Sequence, residues 1–432
     1  MTSEIICVGT ELLTGDTVNT NASYVSKRLM ELGAGPVWQS VVGDNRERLT
    51  EAVGTALRRS DVIILTGGLG PTEDDLTKET AASLLRLPLY EDKASMDAIA
   101  SFFAATGREM PEINRKQALI PLGAVVLEND IGTAPGVLFD FPLLRDQGRF
   151  YSRYRAVYMA LLPGPPREMA RMLDEKLMPY LRERVKGTAL VSHYLTVFGT
   201  GESRAASLVG ELQEGANPTV SPYVKNGSVR FRVTASAATE KAAEALTAPV
   251  LEEMKKRLGD SVVGVDIASI ADVAVGLLKK YNSTVALAES CTGGLIAKKI
   301  TDISGASDVF HMGAVTYVNE IKELLLSVSH ETLETHGAVS KETAAEMARG
   351  AALKADADYA LSVTGLAGPS GGTEETPVGT VFIGVHSKKS GTAVLKKRFG
   401  HGKADEREFI RELAAETALF ELVKLIRKEN NV

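Results

Sequence analysis

Val62-Ile63-Ile64-Leu65-Thr66-Gly67-Gly68-Leu69-Gly70-Pro71-Thr72-Glu73-Asp74-Asp75-Leu76-Thr77 is the stretch on which the fold turns. The run Val62–Thr66 is aliphatic and β-branched, and reads as a buried strand. A glycine-rich loop follows, and a helical pattern takes over across Leu76–Leu85. Toward the N-terminus the same unit occurs twice more. Ile5–Val8 reads as a strand, then Asn21–Leu32 places Tyr24, Val25, Leu29 and Leu32 at helical spacing and stops at Gly33. Val37–Val42 is the next strand and Arg46–Arg58 the next helix. Such alternation predicts an α/β fold with a parallel sheet. Binding sites in these sheets lie outside the carboxyl ends of the strands. Gly9–Gly15 and Gly67–Gly70 both fall there.

Toward the C-terminus, the turn Leu161-Leu162-Pro163-Gly164-Pro165-Pro166 leads into a helix at Arg167–Leu181, and the first domain is expected to span 1–186. A small α+β module is expected over 187–264, with strands at Tyr194–Gly199 and Val229–Ala235 and helices at Glu202–Leu212 and Glu240–Leu258. It carries no catalytic cluster, and its expected role is spacer or dimer contact. A third domain, 265–432, is again α/β. Its helices are expected at Ile270–Tyr281, Leu295–Ile300 and Arg407–Lys428, and its strands at Thr284–Ala288, Phe310–Val318, Tyr359–Thr364 and Gly379–His386.

A length of 432 residues implies two to three domains, and 44% hydrophobic with 24% charged residues is a globular balance. The net charge of −6 argues against a dedicated nucleic-acid binder. Locally, Arg145, Arg149, Arg153 and Arg155 interleave with Phe150, Tyr151 and Tyr154, and read as a solvated hairpin or insertion loop. The two cysteines, Cys7 and Cys291, exclude a disulfide framework and a cysteine zinc site. With no signal-peptide pattern and no membrane-length apolar run, a cytoplasmic protein is expected.

The richest chemistry lies in Ala288-Glu289-Ser290-Cys291-Thr292-Gly293-Gly294. A strand ends in a polar turn with two glycines and a helix begins at once. That puts Ser290 near helix amides able to stabilise an oxyanion, while Gly293 and Gly294 allow close substrate approach. The same turn also reads as a plain helix cap by Ser290 or Thr292. A serine nucleophile needs a base. None of the six histidines sits in a triad motif. Thr316-Tyr317-Val318-Asn319-Glu320-Ile321-Lys322 offers a lysine, whose pKa desolvation would lower. Cys291 is the competing nucleophile, favoured if the helix terminus lowers its pKa. The loop Thr364-Gly365-Leu366-Ala367-Gly368-Pro369-Ser370-Gly371-Gly372 can present amides to phosphate, and Arg407 and Arg411, one turn apart, can bind it.

In the first domain, Gly9-Thr10-Glu11-Leu12-Leu13-Thr14-Gly15-Asp16 and the Gly67, Gly68, Gly70 loop combine backbone donors with carboxylates. Glu73, Asp74 and Asp75 suit a phosphate ester held through a divalent metal. Thr72-x-x-Asp75 is equally a capping box.

Ala288–Gly294, followed by Gly313–Asn319, His336–Ser340, Thr364–Pro369 and Pro377–Thr380, resembles the C-terminal domain of the CinA family. The resemblance implies a nicotinamide mononucleotide amidohydrolase needing no cofactor. It implies Ser290 as nucleophile, Tyr317 and Lys322 activating it, and Thr364 near the substrate. It puts Arg407 on the phosphate, with Lys403 as the replacement because Gly402–Arg407 is longer than the family's pattern. Thr10, Glu11, Asn114, Lys116, Gln117, Gly132–Gly136 and Pro163–Glu168 resemble the family's N-terminal domain, which shares the molybdopterin-binding fold of MoaB and MogA. That implies ADP-ribose hydrolysis with Mg2+, Mn2+ or Co2+, Asp44 and Asp75 matching the acidic positions beside Asp74. A homodimer is expected. Two other readings stand beside this one: a molybdopterin adenylyltransferase fused to an amidase, and a non-catalytic nucleotide-binding accessory protein of competence or DNA damage.

Overall fold

The computed structural model describes residues 1–149, 151, 153–185, 189–225, 227–400 and 406–431; Phe150, Lys403 and the expected domain boundary at 186–187 lie outside them. The chain divides into two compact units, Met1–Val191 with Ala235–Ala245, and Ser192–Thr234 with Leu246–Val432.

A six-stranded sheet organises the first unit, in the order Pro36–Val42, Ser3–Val8, Val62–Thr66, Tyr158–Leu162, Gly136–Asp140, Val125–Leu127. The first four strands are parallel and the last two antiparallel. Ser3–Val8, Val62–Thr66 and Tyr158–Leu162 are buried at every position, as strands covered by helices on both faces must be. Alternate residues feed two cores. Ile6, Val8, Ile63 and Leu65 pack with Val53 and Leu57 on one face; Ile5, Cys7 and Ile64 pack with Val25, Leu29 and Met172 on the other. The expected helices form at Thr20–Glu31, Arg46–Arg59 and Thr77–Leu84. The one expected at Arg167–Leu181 is split, with a π-helical turn at Leu173–Leu177.

The segment read as a solvated hairpin is instead anchored. Phe141–Asp146 is helical, Tyr151 meets Phe141 edge-on at 5.5 Å between ring centres, and the Tyr151 hydroxyl donates to the Leu85 carbonyl at 3.0 Å. Arg155 pairs with Asp61 at 2.8 Å. Tyr151 and Tyr154 are there for packing.

The small module is a four-stranded sheet in the order Thr219–Lys225, Ser228–Ala237, Ala189–Phe198, Val262–Val265. Its first helix stops at Val209, earlier than expected, because Gly210 turns to positive φ.

The last sheet has the order Phe310–Val315, Val285–Glu289, Tyr359–Gly365, Thr380–Ser387, Gly391–Arg398. Its first three strands are parallel. The final two run antiparallel. Among the described residues no helix is long and apolar enough to cross a membrane.

Candidate active sites

The carboxyl ends of Phe310–Val315, Val285–Glu289 and Tyr359–Gly365 meet at one sheet edge. Glu289 pairs with Val315 on one side and Val363 on the other. The ladder continues one residue further, since the Ser290 amide donates to the Val363 carbonyl at 2.9 Å and the Thr316 amide to the Glu289 carbonyl at 2.8 Å. Thr316, Ser290 and Thr364 therefore stand in a row across three strands.

Strand alternation decides which way each side chain faces. Ala286 and Ala288 enter a core with Leu326 and Met347; Val285 and Leu287 enter the opposite one with Ile296 and Ile300. Ser290 continues the Ala286–Ala288 side. On the helix Asn319–Leu326, the buried residues are Lys322 and Leu326, so Lys322 is delivered to that same side. Thr364 belongs there too, its hydroxyl donating to the Ala338 carbonyl at 2.7 Å. Cys291 falls into the other core, 6% exposed, and burial pushes its thiol up to about 12. It is a neutral thiol at pH 7, which argues against the thiolate alternative.

Lys322 is 1% exposed. Its Nζ donates to the carbonyls of Thr316 at 2.9 Å and Tyr317 at 3.4 Å, and burial lowers its pKa against the opposing pull of Glu320. A neutral amine there spends both N–H bonds on the two carbonyls and keeps its lone pair as a base.

The helix amides are already occupied, contrary to the expectation that they would hold an oxyanion. Glu289, 1% exposed, accepts from Gly294 at 3.0 Å, Ile296 at 3.1 Å and Ala297 at 2.8 Å. Neither Ser290 nor Thr292 caps this helix. Gly293 and Gly294 adopt positive φ, which lets the chain swing back over Glu289. Among the described residues, the amides of Cys291 and Thr292 have no carbonyl or carboxylate partner. They are the donors left for an oxyanion.

Arg411 braces this turn, donating to the Cys291 carbonyl at 3.1 Å and the Thr292 carbonyl at 2.8 Å. Arg407 ties the third loop to Tyr317, with 2.5 Å to the Gly368 carbonyl and 3.4 Å to the Tyr317 hydroxyl. Tyr317 is 61% exposed and its ring belongs with Arg407; only its carbonyl meets Lys322. Asn319 opens its helix in an exposed position. Gly365 is dictated by sheet packing, since a Cβ there would meet the Thr380 carbonyl at 2.7 Å. Gly368 sits at φ +75 against Val378.

In the first unit, four parallel strands likewise present their loops together. Asp44 accepts from the Thr10 amide at 2.8 Å and its hydroxyl at 2.7 Å. Glu11 lies over Gly9. A Cβ on Gly67 would strike the Val8 carbonyl, and one on Gly70 the Asp75 carboxylate. Asp75 accepts from the Thr72 amide at 3.0 Å and hydroxyl at 2.5 Å, so it closes the loop rather than capping the helix, which starts only at Thr77. The Thr72 hydroxyl also holds the Asp74 carboxyl below its ordinary range. Lys116 donates to the carbonyls of Thr72 and Asp75. Asn114 donates to Gln117 at 2.9 Å. Lys78, which sequence reasoning passed over, is buried behind them. It donates to the carbonyls of Lys116 at 3.0 Å and Gln117 at 2.9 Å, and burial lowers its pKa to about 8. Among the described residues no three His, Cys, Asp or Glu side chains cluster as a metal cage. Asp44, Asp74 and Asp75 thus do not form one.

Compared with known proteins, the sequence matches the CinA C-terminal domain over residues 267–426, the "Probable molybdopterin binding domain" over 4–183 and the damage-inducible protein CinA KH domain over 192–264. It is 45% identical over 420 residues to a CinA-like protein of Kosmotoga olearia, covering 97% of each chain. The chain belongs to the CinA family. A CinA-like protein of the same family from Nostoc sp. is 43% identical over 426 residues, covering 97% of this chain and 98% of that one. Among solved CinA-type structures, a competence/damage-inducible protein from Agrobacterium tumefaciens is 41% identical over 36% of this chain and 94% of its own, with a TM-score of 0.35. The family's KH segment here contains no Gly-x-x-Gly, the loop with which KH modules clamp a nucleic-acid backbone.

Proposed function

We propose that this CinA protein is a bifunctional pyridine-nucleotide hydrolase of the cytoplasm. Its C-terminal site converts nicotinamide mononucleotide to nicotinate mononucleotide and ammonia. Its N-terminal site splits ADP-ribose into AMP and ribose 5-phosphate with a divalent metal. The observation that carries the first reading is a buried lysine, without a carboxylate partner among the described residues, on the same sheet face as a serine in a glycine turn.

In this reading Lys322 takes the proton of the Ser290 hydroxyl as its oxygen bonds to the carboxamide carbon. The negative charge on the former carbonyl oxygen falls to the amides of Cys291 and Thr292. Collapse breaks the C–N bond, the proton leaves with ammonia, and water cleaves the acyl-serine with Lys322 again as base. Arg407 retains guanidinium N–H groups beyond its two contacts and can hold the 5′-phosphate.

For the first unit, Mg2+ sites are built from one or two carboxylates plus phosphate oxygens and water rather than all-protein cages. One or two of Asp44, Asp74 and Asp75 would hold a metal that arrives on the pyrophosphate. Such a metal would neutralise phosphate oxygens. The protein's own part is to hold the Gly67–Asp75 loop, which Lys116 and Lys78 brace from behind. The match of residues 4–183 to a molybdopterin-binding domain favours one rival, nucleotidyl transfer from ATP to a pterin.

The test is ammonia release from nicotinamide mononucleotide, with EDTA, by wild type and Ser290→Ala. Metal-independent release, lost by about a thousandfold or more in the variant, is expected. No release from folded wild type would overturn the reading. AMP formation from ADP-ribose, against adenylylated pterin formation from ATP, separates the two N-terminal chemistries.

A further inference from the structure

Thr316 is 0% exposed and its Oγ1 has no hydrogen-bond partner, although its amide and carbonyl are both engaged, by Glu289 and by Lys322. An unpartnered buried hydroxyl is costly, and a valine of the same shape would remove the cost. The hydroxyl also stands at an informative place. It is in register beside Ser290, on the face that receives Lys322, and its own residue supplies the nearer of the two carbonyls that hold the Lys322 amine.

We infer that the Thr316 hydroxyl is a positioning residue for proton transfer between Ser290 and Lys322: it accepts the third N–H bond of Lys322 once that amine is protonated. In the base form Lys322 has two N–H bonds, and the carbonyls of Thr316 and Tyr317 can take both. When the Ser290 O–H breaks and its proton forms a third N–H on Lys322, the new ammonium lacks an acceptor. Within this row, the Thr364 hydroxyl donates to the Ala338 carbonyl, which fixes the direction its side chain faces. Thr316 Oγ1, bound to nothing in the resting arrangement, is free to turn toward the new N–H. The ammonium is discharged when the proton leaves with ammonia, and the hydroxyl is idle again.

This inference rests on the amidohydrolase reading, and one experiment separates the two. Ammonia release from nicotinamide mononucleotide is followed at steady state for wild type, Thr316→Val and Thr316→Ser, with a thermal melt of each. A hydrogen bond to a charged group is worth enough that Thr316→Val should lose on the order of 10- to 100-fold in kcat. KM should stay within about twofold, since the hydroxyl binds no substrate, and the melting temperature should hold or rise. Thr316→Ser, which keeps the oxygen, should restore kcat to within a fewfold of wild type. An active wild type matched by Thr316→Val in kcat would overturn the inference and leave the amidohydrolase standing. So would a Thr316→Ser as slow as the valine variant. A wild type without turnover would overturn both.

Discussion

At the residue scale, two buried lysines carry the pH dependence. In the proposed mechanism Lys322 must be neutral. Its pKa is lowered by burial, with Glu320 pulling the other way, so kcat/KM for ammonia release should climb with pH through a value below the ordinary 10.5. Lys322→Arg, which cannot deprotonate, should abolish both the activity and this limb; an unchanged profile would remove Lys322 from the base role. Lys78 makes a stability prediction instead. Its folded pKa of about 8 lies below 10.5, so between those values the unfolded chain binds the extra proton and stability rises with pH. Below about 8 both states are protonated and the folded state carries the full penalty, about 3 kcal/mol at most. Urea midpoints of wild type should rise from pH 8 toward 10, and Lys78→Met should flatten that slope. Ser290 and Lys322 were legible in the sequence because residue types near a strand end advertise chemistry. Glu289 and Lys78 were not, because their partners are backbone amides and carbonyls, which leave no trace in residue type; nor was Thr316, whose hydroxyl has no partner.

At the element scale, the turn after Val285–Glu289 owes its shape to one carboxylate. Helix Leu295–Thr301 is a short helix, and Glu289 satisfies three amides around its start. A missing cap costs about 1 kcal/mol, and loss of a buried charged acceptor costs more. Glu289→Ala should therefore destabilise the protein by about 2–4 kcal/mol and disturb turnover as well, while Glu289→Gln, which keeps one acceptor oxygen, should fall between. Chemical denaturation reads this directly, and a Glu289→Ala melt equal to wild type would dismiss the cap. Of the parallel strands, Ile5–Val8, Val62–Thr66 and Thr284–Ala288 could be read from apolar runs, whereas Tyr158–Leu162 read only as the approach to the Pro163–Pro166 turn. Gly391–Arg398 could not: five of its eight residues from Gly391 to Arg398 are polar or glycine, as an exposed edge strand allows. Phe310–Val318 read as one strand, yet it ends at Val315, because Thr316 must turn to seat Lys322 and begin the helix at Asn319. Apolar content alone does not distinguish a strand from the exposed Tyr317-Val318 that follows it.

At the scale of the whole molecule, the two proposed reactions draw on separate sheets. The Ser290 row rests on cores of residues from the second unit, and the Gly67–Asp75 loop on cores of residues from the first. Substitutions that share no partner and no core act additively. In the full chain, Ser290→Ala should then leave AMP formation from ADP-ribose unchanged. Asp75→Asn, which weakens the acceptor that closes the Thr72 loop, should lower AMP formation by at least about tenfold and leave ammonia release alone. EDTA should reproduce the Asp75 phenotype and not the Ser290 one. Assaying both products from one preparation of each single variant and of the double variant gives four cells for each reaction. Independent sites require the double variant to match the relevant single variant in each assay. A double variant that departs from this by more than about twofold would show that the two chemistries are coupled, and that a single CinA chain is more than two hydrolases joined by a module.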